Sequence, residues 1–183
     1  MNTRLLSITQ VAAQVRPAIV TDARGMAEVH VAAAQAAYGD IMPADFIARF
    51  SVEQSAASWH ERLRRSSGRS IYVVECDGRI AGFAACGPSR DPAPTVGPTG
   101  QLHVLNVAPA FWRQGLGRAL CSQIIHEARQ RGCRTLSVWV LADNAAARAL
   151  YAANGFTPDG IERMDDTLCG RPLRELRYVR TLP

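Results

Sequence analysis

A glycine-rich turn in the middle of the chain has the residue types that bind phosphate groups. It consists of Arg113, Gln114, Gly115, Leu116, Gly117 and Arg118. Glycines let the backbone approach a ligand closely, and the free N–H groups at a helix start attract an anion, helped by the helix dipole. Arg113 and Arg118 add positive charge, so a pyrophosphate fits this turn. A strand-to-helix turn without a ligand would use the same glycines, and the turn alone leaves both interpretations open.

Two other phosphate-binding motifs do not match this turn. A dinucleotide-binding GxGxxG motif requires a third glycine where this chain has Leu120. A P-loop requires Gly-Lys followed by Ser or Thr, and this combination is absent from the turn.

The hydrophobic pattern predicts the elements that position the turn. Strands are predicted over residues 102–107 and 136–141, with an amphipathic helix from the turn to Gly132 between them. Asn144 is predicted to cap a second helix, which Asn154 and Gly155 end.

The rest of the chain predicts an α/β fold with a mixed sheet. The order is strand, helices, a hairpin at Asp77-Gly78, and then β-α-β-α-β-β, which makes the sheet antiparallel early with one β-α-β crossover. The first strand is predicted at 15–20, and residues 87–100 are predicted to be an irregular loop. Residues 1–14 are predicted to be a flexible leader or edge segment, and 15–183 a single domain.

Composition limits the classes of function. The formal net charge of +5 suits a nucleic acid, a membrane surface or a phosphate-bearing cofactor, or simply a solvated basic surface. Only 7% of the residues are aromatic and there is no long Lys/Arg run, which argues against a dedicated nucleic-acid site. The five cysteines form no CxxC pair, so no metal site is predicted and a reducing, cytoplasmic location is favoured. No segment has the length of a membrane span.

Two blocks resemble the GNAT superfamily of N-acetyltransferases. LHVLNVAPAFWRQGLGRAL (102–120) resembles its acetyl-coenzyme A motif, a strand followed by Gln/Arg-x-x-Gly-x-Gly/Ala and a helix. Trp112 stands at the Gln/Arg position, a departure that spares the backbone donors. VWVLADNAAARALYAANGF (138–156) resembles the next strand and helix of the family, with Asn, Tyr and Gly-Phe at the expected spacing.

This resemblance implies a GNAT-like mixed, mostly antiparallel central sheet flanked by helices, with one β-α-β cofactor-binding crossover. It implies acetyl-CoA as cosubstrate, direct transfer of the acetyl group to a primary amine, and a possible homodimer. The turn would bind the pyrophosphate and Asn144 would reach the pantetheine arm. The strand residues expected to pair with the pantetheine are Leu105, Asn106 and Val107.

The resemblance also implies catalytic roles. Tyr151 would protonate the leaving thiolate, since a phenol keeps its proton at neutral pH. Many members have a Glu where this chain has Gln101, or on the next strand where it has Trp139. His103 lies on the same strand face as Gln101 and could act as the base directly or through water. A water chain to bulk solvent is the alternative.

Two other functions stay open at this stage. The missing carboxylates would suit a non-catalytic acetyl-CoA-binding sensor or partner module of the same fold. The basic surface would suit an RNA- or ribosome-associated protein. The acceptor is not identified by the sequence, although Tyr38, Met42 and Phe46 are candidates for its pocket, with the 87–100 loop as a lid.

Overall fold

Seven strands form one sheet in the order β1-β2-β3-β4-β5-β7-β6. The computed structural model describes residues 13–65, 68–91, 98–166 and 169–183. The strands are β1 (Ala13–Pro17), β2 (Ser70–Cys76), β3 (Arg79–Pro88), β4 (Thr99–Val107), β5 (Thr135–Leu141), β6 (Thr157–Asp165) and β7 (Leu173–Thr181). The helices are α1 (Ala23–Tyr38), α2 (Ala44–Ile47), α3 (Val52–Arg64), α4 (Leu116–Gln130) and α5 (Ala145–Ala153).

The strand directions confirm the predicted mixed, mostly antiparallel sheet. β4 and β5 are parallel neighbours joined through α4, and the other neighbouring strands are antiparallel. The β4–α4–β5 unit is therefore the predicted crossover, and the glycine-rich turn lies at its start.

Helices cover both faces of the sheet. On one face, Met26 of α1 and Trp59 of α3 pack around Phe83 of β3, with the Trp59 and Phe83 rings 4.9 Å apart. On the other face, α4 contributes Leu120 and Ile124 to a core shared with α5 and the sheet. Among the described residues, no helix is both long and apolar enough to cross a membrane.

The hairpin between β2 and β3 forms where it was predicted. Asp77 and Gly78 have φ angles of 49° and 74°. Two consecutive residues with positive φ make the kind of two-residue turn that matches the strand twist, and Asp-Gly is a favoured sequence for it.

Two local predictions are wrong. The first strand is Ala13–Pro17 rather than 15–20, and the chain turns into a 3₁₀ segment at Val20–Asp22. Residues 13 and 14, predicted to be part of a flexible leader or edge segment, lie in the edge strand β1, whereas residues 1–12 lie outside the described residues.

The predicted irregular loop is also shorter than expected. β3 runs through Pro88 and β4 starts at Thr99, with Pro88 opposite Gly100. A proline is tolerated here because it ends its strand. Residues 92–97, the centre of the predicted loop, lie outside the described residues.

A partly buried carboxylate, that of Glu127, connects α4 to the start of β2. Glu127 accepts hydrogen bonds from Ser70 Oγ at 2.5 Å, Tyr72 Oη at 2.7 Å and Arg131 Nε at 2.8 Å. The bonds from Ser70, Arg131 and Tyr72 lower the pKa of Glu127 to about 2. A lowered pKa stabilises the fold at a pH above the ordinary value of 4.5 and loses that stability as the pH falls toward 2.

Glu127→Gln should therefore lower the free energy of unfolding by about 2 kcal/mol at neutral pH. The difference from wild type should shrink between pH 5 and pH 3, as measured by urea denaturation. Glu28→Gln is the matched control, because Glu28 forms an ion pair with Arg24 but is 58% exposed. This substitution should lower the free energy of unfolding by less than about 0.5 kcal/mol. A deficit for Glu127→Gln that does not vary with pH would contradict the role of the carboxylate charge.

Candidate functional site

β4 and β5 separate halfway along their length and leave a gap in the sheet. They pair only between Thr99–Leu102 and Thr135–Val138, with Leu102 opposite Val138 as the last pair. β4 continues to Val107 and stays paired with β3 on its other edge. The β5-facing edge of β4 beyond Leu102 is therefore open to an extended ligand.

The residues that face this gap follow from the alternation of a strand. Ala108 donates its N–H to Ala81 at the end of the β3–β4 ladder. Because successive residues direct their backbone groups to opposite edges, Asn106 also faces β3, whereas Leu105 and Val107 face the gap. The Val107 carbonyl accepts a hydrogen bond from Trp112 Nε1 at 2.6 Å, which leaves the Val107 N–H and both Leu105 groups directed to the gap.

A β-bulge begins at the point where the strands separate. Val104 pairs with Ala85 and Leu102 pairs with Cys86, so His103 is the extra residue on β4. A bulge bends its strand and increases the local twist, which turns β4 away from β5. No feature of the sequence predicts this bulge.

The glycine-rich turn lies at the far end of the gap. Arg113 and Gly115 have φ angles of 65° and 83°, and Gly115 caps α4. A left-handed arginine is uncommon and indicates a tightly specified turn. The first N–H groups of α4 have no partner within the helix, as at any helix start, and are available to an anion.

Gly117 is the point where the turn meets both the gap and α5. A Cβ at Gly117 would lie 3.3 Å from Leu150 Cδ2 and 3.9 Å from Leu105 Cδ2. The glycine therefore keeps a narrow space open between β4 and α5.

A basic cavity of about 310 Å³ adjoins the turn between α4 and the end of α5. Its arginines are Arg118, Arg129 and Arg180. Only Arg118 was predicted as a site residue, because Arg129 and Arg180 are brought to it by tertiary packing. The cavity extends the positive charge of the turn along α4.

Two predicted site residues belong to α5 and its cap: Asn144 caps the helix and Tyr151 lies within it. The Asn144 Oδ1 accepts the N–H of Ala147 at 3.0 Å, which confirms the predicted cap. Tyr151 is buried and packs against Phe156, with ring centroids 5.9 Å apart. Burial, Tyr38 and Cys121 raise the pKa of Tyr151 above its ordinary value.

Tyr38 connects these residues to the opposite face of the sheet. Burial and the charge of Glu175 raise the pKa of Tyr38, and a hydrogen bond from Asn144 opposes that rise. Tyr38 packs in the same cluster as Met42 and Phe46, which were predicted with it as an acceptor pocket. Leu141 and Leu173 belong to the same cluster.

Gln101 and Trp139 stand at the two positions where a catalytic Glu was considered, and both form hydrogen bonds with other residues. Gln101 is buried and its Oε1 accepts the N–H of Arg90 at 2.8 Å. Trp139 donates from Nε1 to Asp91 Oδ1 at 2.7 Å. Asp91 also pairs through Oδ2 with Arg177 at 3.3 Å, and its side chain is 5% exposed. The sequence gives no sign of this carboxylate's role, because Asp91 lies 48 positions from Trp139.

His103 lies on the other face of the sheet from Tyr151. Its side chain lines a cavity with Trp59 and His30, whereas Tyr151 belongs to the core between α4 and the sheet. Burial, Arg90 and Arg69 lower the pKa of His103 to about 4, so its imidazole is neutral at neutral pH. The gap between β4 and β5 connects the two faces.

Comparisons with known proteins agree on a family. A model of the acetyltransferase (GNAT) family matches residues 35–156. The uncharacterized N-acetyltransferase YuaI of Bacillus subtilis (strain 168) is 28% identical over 163 residues, covering 88% of this chain and 89% of YuaI. The [ribosomal protein bS18]-alanine N-acetyltransferase of Escherichia coli (strain K12) is 36% identical over 124 residues, covering 65% of this chain and 79% of that protein.

A solved structure agrees with the fold. The PaiA N-acetyltransferase of Thermoplasma acidophilum, crystallised in complex with coenzyme A, superposes with a TM-score of 0.75 at 15% identity, covering 93% of this chain and 99% of that one.

Proposed function

Because the chain belongs to the GNAT family of acetyltransferases, we propose that it transfers the acetyl group of acetyl-CoA to a primary amine by direct attack. The observation that carries this proposal is the gap between β4 and β5, with the glycine-rich turn at its end and Tyr151 beside it.

The gap and the turn suit the two ends of acetyl-CoA. The open backbone groups of Leu105 and Val107 can pair with the amides of the pantetheine arm, with Asn106 between them and Asn144 across the gap. The first N–H groups of α4 suit the pyrophosphate, and Arg113 and Arg118 supply opposite charge. Gln114, Gly115, Leu116 and Gly117 form the rest of this contact.

The reaction then needs an oxyanion donor, a base and an acid. The amine nitrogen attacks the thioester carbon, and a backbone N–H on β4 stabilises the developing oxyanion. The C–S bond breaks as Tyr151 gives its proton to the thiolate. His103 accepts the ammonium proton, directly or through water. We assign the base to His103 rather than Asp91 because both oxygens of Asp91 are already held by Trp139 and Arg177.

The test of this function is acetyl transfer itself. Purified protein should be incubated with acetyl-CoA and a panel of amino acids, small amines and peptides, and acetylated products detected by mass spectrometry. Release of free thiol is a poorer readout, because the five cysteines of the chain interfere with it. No acetylated product from any amine would overturn the proposal.

The role of His103 predicts an unusual pH profile. Since its pKa is about 4 in the free protein, the imidazole is already neutral at pH 5 and above. The log of kcat/KM should therefore show no inflection near pH 6.5 that belongs to His103. His103→Gln should lower kcat by about 10²-fold.

His126→Gln is the matched control, because His126 is exposed on α4. An inflection near pH 6.5 that disappears in His103→Gln would contradict a depressed pKa. Unchanged kcat in His103→Gln would favour the water chain as the base.

A binding module without catalysis is the second candidate. It is favoured by Gln101 and Trp139, which occupy positions where a base would be expected and are engaged by Arg90 and Asp91. Tight binding of acetyl-CoA without turnover of any amine would support it.

A further inference from the structure

A second cavity, of about 190 Å³, opens on the face of the sheet that carries α1 and α3. It has room for about six water molecules. Basic side chains reach it from five separate segments: His30, Arg62, Arg69, Arg90 and His103. No Asp or Glu is among its described lining residues.

The positive charge of this cavity is not neutralised by the protein. In the described part of the chain, Arg62, Arg69 and Arg90 form no ion pair with any carboxylate. Arg177, on the same face of the sheet, is buried and held between Asp91 and Asp159, whereas the three cavity arginines are exposed.

The basic groups also act on one another. Burial and the neighbouring Arg69 and Arg62 lower the pKa of Arg90. Burial and Arg62 lower the pKa of His30. Like charges gathered around one cavity are an arrangement that an anion stabilises.

Aromatic contacts and a hydrogen bond fix side chains that line the cavity. Trp59 is buried, and the Arg62 guanidinium lies 5.2 Å from the centre of its ring. The His30 ring packs edge-on against Phe83 and contacts Ser55 Oγ through Nδ1 at 3.0 Å. Fixed neighbours of this kind hold charged groups in place for a ligand.

The cavity lies next to the gap. His103, on its floor, is the bulge residue where β4 leaves β5. The Arg90 N–H is bonded to Gln101, and the following residue, Asp91, is bonded to Trp139 on β5. A ligand anchored in the cavity would therefore extend toward the place where the proposed transfer occurs.

We propose that the acceptor carries an anionic group, a carboxylate or a phosphate, in addition to its amine, and that this cavity binds that group. The inference rests on the proposed acetyl transfer and names the class of acceptor. Arg62, Arg69 and Arg90 bind the anion, and the amine is presented to the gap.

Matched acceptor pairs test this directly. The pairs are γ-aminobutyrate and γ-aminobutyramide, O-phosphoethanolamine and ethanolamine, and the C-terminally amidated dipeptides Ala-Asp-NH2 and Ala-Asn-NH2. In at least one pair the anionic member should have a kcat/KM at least about tenfold higher, since hydrogen bonds to charged groups are strong. The first and third pairs report on a carboxylate, and the second on a phosphate.

In the variant Arg62→Gln/Arg90→Gln, the anionic and neutral members of the pair that wild type distinguishes should have similar kcat/KM values. Arg64→Gln is the control, because Arg64 is exposed on the same helix and does not line the cavity. A second measurement, independent of turnover, is titration with inorganic phosphate while the imidazole signals of His103 and His30 are followed by NMR. Their shifts should saturate in wild type and be absent in the double variant.

The outcomes separate this inference from the proposed function. Acetylation of both members of every pair at equal rates would overturn the anion site and leave acetyl transfer standing. No acetylation of any amine, with saturable phosphate binding, would overturn the transfer and keep an anion site. A preference that survives the double variant would assign the anion to another part of the protein.

Discussion

Replacing Gly117 with Trp should lower the affinity for acetyl-CoA by at least about 100-fold, as measured by isothermal titration calorimetry. The position is enclosed by Leu150 on α5 and Leu105 on β4, so an indole would fill the space between them. It would also cover the first N–H groups of α4, which we expect to bind the pyrophosphate.

Ala57→Trp is the control for adding a bulky side chain, because Ala57 is exposed on α3. A second variant separates loss of binding from loss of folding. Arg113→Gly removes a positive charge from the turn, and it also removes the cost of a left-handed arginine, about 1 kcal/mol. It should bind acetyl-CoA more weakly and melt no lower than wild type. If wild type does not bind acetyl-CoA, the proposed cofactor site is wrong.

Local signals explain which parts of the fold could be predicted. The Asp77-Gly78 hairpin, the cap at Asn144 and the turn at Gly115 all depend on residues within a few positions, and all three form as predicted. The first strand was misplaced because its pairing is set from a distance. Arg16, which lies in this strand, forms ion pairs with both Asp22 and Glu75. The hydrophobic pattern of the sequence does not reveal either ion pair.

The parts of the site that were missed depend on tertiary contacts. The gap requires β5 to leave β4 after Val138, and the bulge at His103 is visible only in the register with β3. Asp91 reaches Trp139 from a loop that the sequence describes only as irregular. The two basic cavities are likewise lined by arginines from several elements. The sequence gives the total charge of the chain, but it does not show which charged groups lie together in the fold.

Tyr151→Phe should lower kcat by about 10²- to 10⁴-fold and leave the affinity for acetyl-CoA unchanged. The ring of Tyr151 packs against Phe156. Phenylalanine keeps that packing and removes the proton that we propose Tyr151 gives to the leaving thiolate. The raised pKa of Tyr151 means that the hydroxyl holds its proton throughout the neutral range, so the defect should not depend on pH between 6 and 9.

Tyr178→Phe is the matched control for this change. Tyr178 is also buried in the same core, but its hydroxyl accepts a hydrogen bond from Arg148 Nε at 3.2 Å. Loss of this hydrogen bond should lower the free energy of unfolding by about 1 kcal/mol and should change the activity little. Equal activity of Tyr151→Phe and wild type would exclude Tyr151 as the acid, and thiolate departure would then have to be assisted by solvent. A large loss confined to kcat, with calorimetric binding intact, would separate an enzyme from an acetyl-CoA-binding module, because a module has no turnover to lose.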